Sequence, residues 1–256
     1  MKAALIGYTG FVGGNLLREH PFTGRYNSAN IESIAGGQFD LVVCAGAPAA
    51  KWKANQDTGA DRACLGRLMA ALERVKTQRF VHISTVDVYG QPIGVDEDCP
   101  PAGATAYGRH RLELEQFVRD RFHALVVRLP ALFGAGLKKN AIYDLLNNNQ
   151  VEKIDSRSVF QFYNVQRLWR DIRIAAGARL SLIHLATEPV AMSEVACRAF
   201  GKEWVNHLAG IPPSYDMRTR HASLFGGSGG YICNKMRVLT ELAEFVWAQK
   251  EGKQCA

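Results

Sequence analysis

Three glycines near the start of the chain have the spacing of a phosphate-binding turn. In ALIGYTGFVGG, residues 4–14, an apolar run leads directly into Gly7, Gly10 and Gly13, and NLLREH follows. The first glycine permits a tight strand-to-helix turn, the second lets a pyrophosphate approach the backbone, and the third lets helix and strand pack closely. Backbone N–H groups at the helix start would then face the phosphates. The turn predicted to bind a dinucleotide comprises Gly7, Thr9, Gly10, Phe11, Val12 and Gly13.

The end of the predicted second strand bears on which dinucleotide would bind. An acidic residue there would hydrogen-bond the adenosine ribose of NAD. The stretch GRYNSANI, residues 24–31, contains neither Asp nor Glu. Arg25, Asn27 and Ser28 could instead accommodate a 2′-phosphate. The sequence therefore favours NADP slightly and leaves NAD open.

Five short apolar runs predict the strands that would position this turn. They are AALIG at 3–7, DLVVCAG at 40–46, FVHIST at 80–85, ALVVRL at 124–129 and LIHLA at 182–186. Each run is apolar on both faces, as expected for a parallel sheet covered on two sides. Segments with helical spacing separate them, including ADRACLGRLMAALERV at 60–75 and AYGRHRLELEQFVRDRF at 106–122. The alternation predicts a doubly wound α/β fold of the Rossmann type, and this βαβ context favours dinucleotide binding over a plain tight turn.

The pattern becomes less regular after about Gly134. NAIYDLLNNNQ predicts a helix, FQFYN at 160–164 a short strand, and NKMRVLTELAEFVWAQK at 234–250 an amphipathic helix. We therefore expect a dinucleotide-binding domain over residues 1–136. Residues 137–256 would form a smaller substrate-binding portion that also contributes to the sheet.

Composition narrows the class of protein. A chain of 256 residues with 47% apolar and 21% charged residues can bury a full core. Its first residues predict a strand rather than a leader peptide, and no apolar run reaches the ~18 residues of a membrane span, so we expect a cytoplasmic protein. The net charge of +7 suits an anionic ligand, but the dispersed Lys and Arg do not indicate nucleic acid. Six scattered cysteines without a C-x-x-C pair indicate neither a disulfide framework nor a metal site.

Four motifs resemble those of the extended short-chain dehydrogenase/reductases, the NAD(P)-dependent epimerase/dehydratase family, or an atypical member of it. GYTGFVGG is similar to the family's G-x-x-G-x-x-G turn, and HISTVDVYG at 82–90 to the strand that carries its catalytic Ser or Thr. VDEDCPPAGATAYGRHRLELE at 95–115 resembles the segment that leads to the catalytic Tyr, and VVRLPALFGAG at 126–136 the strand after it. The motifs occur in the family's order over residues 1–136, whereas FQFYNVQRLWRDI at 160–172 is only weakly similar.

The resemblance implies a catalytic set of Thr85, Tyr107 and Arg111. Tyr107 would be the acid/base and Thr85 would polarise the substrate oxygen, while Arg111 stands where the family has Lys, four residues after the Tyr. Positions i and i+4 share a helix face. Lowering a Tyr pKa from about 10 to about 7 needs about 4 kcal/mol, which a cation about 4 Å away supplies at an effective dielectric of about 20. The longer, directional fork of arginine predicts a less well activated Tyr107 than an ammonium would.

Further positions follow from the same resemblance. Ala45, Gly46 and Ala47, in the loop after a central strand, would pass close to the cofactor. Asp61 stands near the position where the family usually has an Asn. Asp87 stands where some dehydratases carry a catalytic acid, although a solvent-facing or structural role is the favoured interpretation.

The resemblance implies an NAD(P)-dependent oxidoreductase, epimerase or dehydratase. It would act on the hydroxyl or ketone of a sugar or nucleotide sugar, an anionic small molecule in the latter case. Members of the family often pair through two helices, so a homodimer built on the helix of Tyr107 is one expected arrangement. The alternative is a non-catalytic NAD(P)-binding sensor or scaffold of the same fold, which Arg111 and the short second half keep open.

Overall fold

The computed structural model describes residues 1–254, and side chains as far as residue 252. The chain divides into two compact units, each assembled from separate segments. Unit 1 consists of residues 1–91, 97–129 and 166–184, and unit 2 of residues 92–96, 130–165 and those from 185 onward.

The described residues form twelve β-strands and eight α-helices. The strands are β1 (Ala3–Ile6), β2 (Gly24–Tyr26), β3 (Gln38–Cys44), β4 (Lys76–Thr85), β5 (Ile93–Val95), β6 (Ala124–Leu129), β7 (Ala131–Phe133), β8 (Val159–Phe160), β9 (Phe162–Asn164), β10 (Leu182–His184), β11 (Val190–Ala191) and β12 (Asp216–Met217). The helices are α1 (Phe11–Glu19), α2 (Lys51–Gln56), α3 (Thr58–Leu72), α4 (Ala106–Arg121), α5 (Ala141–Asn147), α6 (Leu168–Gly177), α7 (Met192–Phe200) and α8 (Lys235–Gln254).

Unit 1 is built on a six-stranded parallel sheet with the order β2-β1-β3-β4-β6-β10. All five apolar runs predicted as strands lie in this sheet, which confirms the predicted doubly wound α/β class. The short β2 adds the sixth strand at one edge. Because β2 and β3 flank β1 on opposite sides, the order reverses at β1, and open α/β sheets bind ligands at such a switch point.

The core of unit 1 explains how α3 and α4 are held against the sheet. The apolar side chains that meet there come from both helices and from the strands, and include Val42, Leu65, Leu72, Phe80, Leu114, Val118 and Val126. The N-terminal cap of α4 is Thr105, whose side chain accepts a hydrogen bond from the Gly108 N–H at 3.2 Å. This cap fixes where the helix begins and therefore puts Tyr107 in its first turn.

Unit 2 contains three short strand pairs. β5 pairs with β12 and β7 with β9 in parallel, and β8 pairs with β11 in antiparallel orientation. The FQFYN segment, predicted as one strand, is interrupted at Gln161 and contributes to both β8 and β9. The reason is that the buried Gln161 side chain bonds the backbone of Thr187 and Met217 instead of pointing out of a continuous strand. The helix predicted at 234–250 is α8.

The cysteines agree with the absence of a disulfide framework as far as the structure describes them. Cys44, Cys64, Cys99, Cys197 and Cys233 are free thiols, and Cys255 lies outside the described residues. Burial raises the pKa of the Cys44 thiol to about 11, so it stays protonated as a core residue of β3. Within residues 1–254, no helix combines the length and the apolar character that crossing a membrane requires.

Candidate active site and nucleotide-binding turn

The glycine turn joins β1 to α1 in a conformation that excludes side chains. Gly7 has a φ of +85°, and a Cβ there would overlap the carbonyl of Ala45. A Cβ on Gly13 would overlap the carbonyl oxygen of Gly7. Gly10 is the N-cap of α1, and no side chain caps the helix. The first N–H groups of α1, which lack partners within the helix, are therefore available to an anion.

The loop after β3 lies directly beside this turn. The Ala45 N–H donates to the carbonyl of Ile6 at 2.9 Å, and a Cβ on Gly46 would lie 2.8 Å from the Ile6 side chain. Ala47 packs against the core of unit 1. The structure thus brings all three predicted loop residues to the carboxyl ends of β1 and β3, at the switch point of the sheet.

The residues predicted to choose between NAD and NADP lie at the carboxyl end of β2. Arg25 is an exposed residue of the strand, and Asn27 is held in the following turn by its own backbone and side-chain hydrogen bonds. The carbonyl of Ser28 accepts a 3.4 Å hydrogen bond from Arg67 of α3, which also pairs with Glu32. Sequence reasoning missed Arg67, because nothing local to Ser28 indicates a side chain 39 residues later in the chain.

Tyr107 and Thr85, the two residues that the motifs single out, lie next to each other. Tyr107 is buried in the first turn of α4, and the Thr85 side chain at the end of β4 interacts with its hydroxyl and lowers its pKa. Ser84, the preceding hydroxyl, donates instead to Glu115, farther along α4, at 2.5 Å. The Ser84 hydroxyl is therefore occupied, and Thr85 is the hydroxyl beside Tyr107.

Arg111 lies against the ring of Tyr107 rather than at its hydroxyl. The helix places the two residues one turn apart, and the Arg111 guanidinium carbon sits 4.1 Å from the centre of the Tyr107 ring. Its Nη1 donates to Asp61 and its Nη2 to the carbonyl of Pro48. The side chain is 2% exposed. The guanidinium is thus fixed as a buried structural cation under the ring.

Asp61 is the residue that accommodates this arginine. Its Oδ2 accepts from Arg111 and lies 2.8 Å from Nδ1 of His110. Burial alone would raise the pKa of Asp61, but the hydrogen bonds and charges of Arg111 and His110 hold that pKa below its ordinary value. An acid at this position therefore compensates the buried charge that Arg111 brings into the helix interface.

Lys51 and Asp87 form an ion pair beside the same tyrosine, and the motifs did not predict it. The Lys51 Nζ at the start of α2 lies 2.6 Å from Oδ1 of Asp87, which follows β4. The Asp87 N–H also contacts the Thr85 hydroxyl at 3.2 Å. Asp87 was expected to be solvent-facing or structural, and its side chain is 20% exposed. Lys51 lies in CAGAPAAKW at 44–52, the loop that resembles the family's, but no role was predicted for it.

Four neighbours set the protonation of Tyr107. Burial raises its pKa above the ordinary value, and this effect outweighs Arg111, which lowers it. Asp87 raises the pKa further, whereas the hydrogen bond from Thr85 and the charge of Lys51 lower it. The phenol therefore keeps its proton at neutral pH.

A second buried network holds the strands around the site. Arg128 of β6 makes two hydrogen bonds to Glu115 of α4, at 3.0 and 2.6 Å, and donates to the hydroxyl of Tyr89 at 2.7 Å. The same hydroxyl lies 3.3 Å from Nε2 of His184 in β10. The V-Y-G and R-L-P motifs thus supply a polar scaffold that links α4, β6 and β10, and burial raises the pKa of Tyr89 to about 12.

Solved structures of several enzymes have the same fold. A dTDP-4-dehydrorhamnose reductase from Clostridium acetobutylicum has a TM-score of 0.76 and 17% identity, and the alignment covers 98% of this chain and 100% of that one. UDP-glucuronic acid 4-epimerase from Bacillus cereus, in complex with UDP-glucuronic acid and NAD, has a TM-score of 0.73 and 16% identity over 98% of this chain and 99% of that one. WbmG from Bordetella bronchiseptica, in complex with NAD, has a TM-score of 0.76 and 17% identity over 98% and 95%.

The sequence itself identifies the family. A search of curated proteins gave no significant match. The family model described as the NAD dependent epimerase/dehydratase family matches residues 20–173, more than half of the chain. With the glycine turn, the parallel sheet and the fold of the solved structures, this match shows that the chain belongs to the NAD-dependent epimerase/dehydratase family.

Proposed function

We propose that this protein binds a nicotinamide dinucleotide and acts on the ketone or hydroxyl of a sugar or nucleotide sugar. The observation that carries the proposal is the placement of the Thr85 side chain beside the buried hydroxyl of Tyr107, whose pKa it lowers. Thr85 ends β4 and the glycine turn follows β1, so both stand at the carboxyl edge of one parallel sheet. A proton-transfer pair and a dinucleotide-binding turn at the same edge support hydride chemistry on an oxygen-bearing carbon.

The residues at the switch point fit a dinucleotide. Side chains are excluded at Gly7 and Gly13, and the open N terminus of α1 suits a pyrophosphate. The epimerase from Bacillus cereus and WbmG were solved with NAD, which supports a nicotinamide cofactor here. Arg25 of β2, and Arg67 of α3, which reaches the carbonyl of Ser28 after β2, offer two cations to a 2′-phosphate and favour NADP. When bound, the cofactor would supply or accept hydride at the carbon that carries the reacting oxygen.

The protonation of Tyr107 favours reduction as the direction of the reaction. Because burial raises its pKa, the phenol is neutral at pH 7 and donates a proton to a carbonyl oxygen, which Thr85 would also hydrogen-bond. Oxidation of a hydroxyl needs the phenolate, which requires positive charge close to the phenol oxygen. The reductase and the UDP-glucuronic acid complex among the similar structures support a nucleotide-linked sugar as the substrate class. A nucleotide diphosphate also agrees with the net charge of +7.

A non-catalytic cofactor-binding protein is the second candidate. It is favoured by the placement of Arg111, whose guanidinium lies on the ring of Tyr107 and not at the hydroxyl. A chain that only senses the cofactor would need the glycine turn but no activated tyrosine.

The test begins with calorimetric titration of nucleotide-free protein with NADPH and with NADH. We expect one of them to bind, and turnover of a dTDP-4-keto sugar by the wild type. The variants Tyr107→Phe and Thr85→Val should lose about 100-fold or more in kcat while binding the cofactor normally. Binding of neither dinucleotide would overturn the proposal. Tight cofactor binding without turnover of any keto sugar would favour the second candidate.

A further inference from the structure

We propose that Lys51, held by Asp87, supplies beside Tyr107 the solvent-accessible ammonium donor that the buried arginine at position 111 cannot offer. Its consequence for turnover rests on the proposed function, whereas its effect on Tyr107 does not. Lys51 comes from α2, a different element from the helix of Tyr107. The site would thus contain an ammonium group from α2 in place of one from the helix of Tyr107.

The first step concerns Arg111, whose two terminal nitrogens are engaged elsewhere. They donate to Asp61 and to the carbonyl of Pro48. Its Nε has no hydrogen-bond partner within the described part of the chain, but it is buried. With the guanidinium packed on the ring face of Tyr107 and the side chain only 2% exposed, Arg111 offers a ribose or a substrate oxygen no solvent-accessible donor.

The second step places α2 against the start of α4. The side-chain oxygen of Asn55 accepts the Tyr107 N–H at 3.0 Å. Lys51 precedes Asn55 by four residues, so both lie on the same face of α2. That face therefore points at the first turn of α4. Lys53, two residues from Lys51, instead lies over the ring of the exposed Trp52, 5.3 Å from its centre.

The third step places Asp87 at the same spot. Its carbonyl is so close to Gly108 that a Cβ on that glycine would overlap it. The Asp87 N–H contacts the Thr85 hydroxyl, and Thr85 in turn bonds Tyr107. The Lys51 ammonium, 2.6 Å from the Asp87 carboxylate, is thereby anchored beside the hydroxyl end of the tyrosine.

The charges around Tyr107 agree with this geometry. Arg111 of α4 lowers its pKa most, Asp87 after β4 raises it, and Lys51 of α2 lowers it by less than either of these effects. Lys51 is accessible to a ligand and Arg111 is not, because the Lys51 side chain is 42% exposed and that of Arg111 only 2%. A compact ammonium with three donors can therefore serve both the phenol and a polyhydroxyl ligand.

The decisive experiment measures the pKa of the residue at position 107. Replacing Tyr107 by 3,5-difluorotyrosine gives one ¹⁹F signal from a phenol acidic enough to titrate while the protein stays folded. We expect Lys51→Met to raise this pKa by about one unit and Asp87→Asn to lower it. Lys53→Met is the matched control and should leave it unchanged. An unchanged pKa in Lys51→Met, or an equal shift in the control Lys53→Met, would overturn the proposal.

Measurements of turnover then distinguish the proposed role of Lys51 from the proposed function of the protein. If the wild type reduces a keto sugar, Lys51→Met should lower kcat at least about tenfold with KM changed less than about threefold. Lys51→Arg should restore part of the rate, and the pH profile of kcat should move with the ¹⁹F titration. Opposite shifts without turnover by any variant would contradict the proposed function and support the role of Lys51. Wild-type turnover with full activity in Lys51→Met would contradict the role of Lys51 alone.

Discussion

The buried pair of Asp61 and Arg111 makes a quantitative prediction about stability. The two side chains are only 5% and 2% exposed, so removing the carboxylate leaves a buried guanidinium charge without a counter-ion, hydrogen-bonded only to the carbonyl of Pro48. Breaking a buried ion pair by removing one partner costs about 3–5 kcal/mol, a large share of the roughly 5–15 kcal/mol that stabilises a typical folded protein. The stability loss of Asp61→Asn, whose amide oxygen still accepts a hydrogen bond, should be near the lower end of the range for breaking a buried ion pair. The stability loss of Asp61→Leu, which accepts none, should be near the upper end of that range.

The assay is urea denaturation followed by circular dichroism, with a double variant as the control. In Asp61→Leu/Arg111→Met the buried charge is gone, so we expect most of the lost stability to return. The pH dependence has a defined sign, because the folded-state pKa of Asp61 lies below its unfolded value. Its contribution is complete above the unfolded pKa of about 3.9 and is lost as pH falls through the lower folded value. Single variants within about 1 kcal/mol of wild type would refute this account of the pair.

Three further outcomes are expected. Gly13→Ala should destabilise the protein by about 1–3 kcal/mol and abolish dinucleotide binding, because the new methyl group overlaps the Gly7 carbonyl. The control Gly14→Ala, where the nearest atom lies 3.7 Å from the new methyl group, should have neither effect. Thermal denaturation measures the stability and calorimetry the binding. Arg67→Ala should weaken NADPH binding about tenfold and leave NADH binding unchanged, and equal losses for both would exclude a 2′-phosphate role. Burial lowers the pKa of His82 to about 4 from an ordinary 6.5, so protonation favours the unfolded chain as pH falls: wild type should lose about 3 kcal/mol between pH 7 and pH 4 that His82→Leu retains, which urea titrations at the two pH values would measure.

The sheet was predictable because each buried strand has its own run of apolar residues in the sequence. Runs such as 124–129 are apolar on both faces, and only a parallel sheet covered on two sides needs that pattern. The distinction between Ser84 and Thr85 was also predictable, since the motif singles out Thr85 and the two hydroxyls contact different partners. The single FQFYN strand failed because Gln161 bonds backbone groups far away in sequence.

The electrostatics of the site were less predictable. Sequence spacing puts Arg111 on the same helix face as Tyr107, but its orientation depends on Asp61, 50 residues earlier. Lys51 lies 36 residues from Asp87, and only the packing of α2 against α4 brings it to the site. An exposed lysine in a short helix carries no local signal of such a role, so contacts of this kind become visible only in the folded chain.

The interleaving of the two units has a consequence for synthesis of the chain. The β10 strand that completes the parallel sheet spans Leu182–His184, and the segment 130–165 of unit 2 precedes it. His184 joins the buried network of Tyr89 and Arg128. A nascent chain that has emerged only as far as β6 therefore has an unpaired edge at that strand. Arg128, which is buried in the folded protein, also lacks its neighbour His184 at that stage. The sheet of unit 1 can therefore be completed only after β10 has left the ribosome, unlike proteins whose N-terminal domain is complete before the next is made.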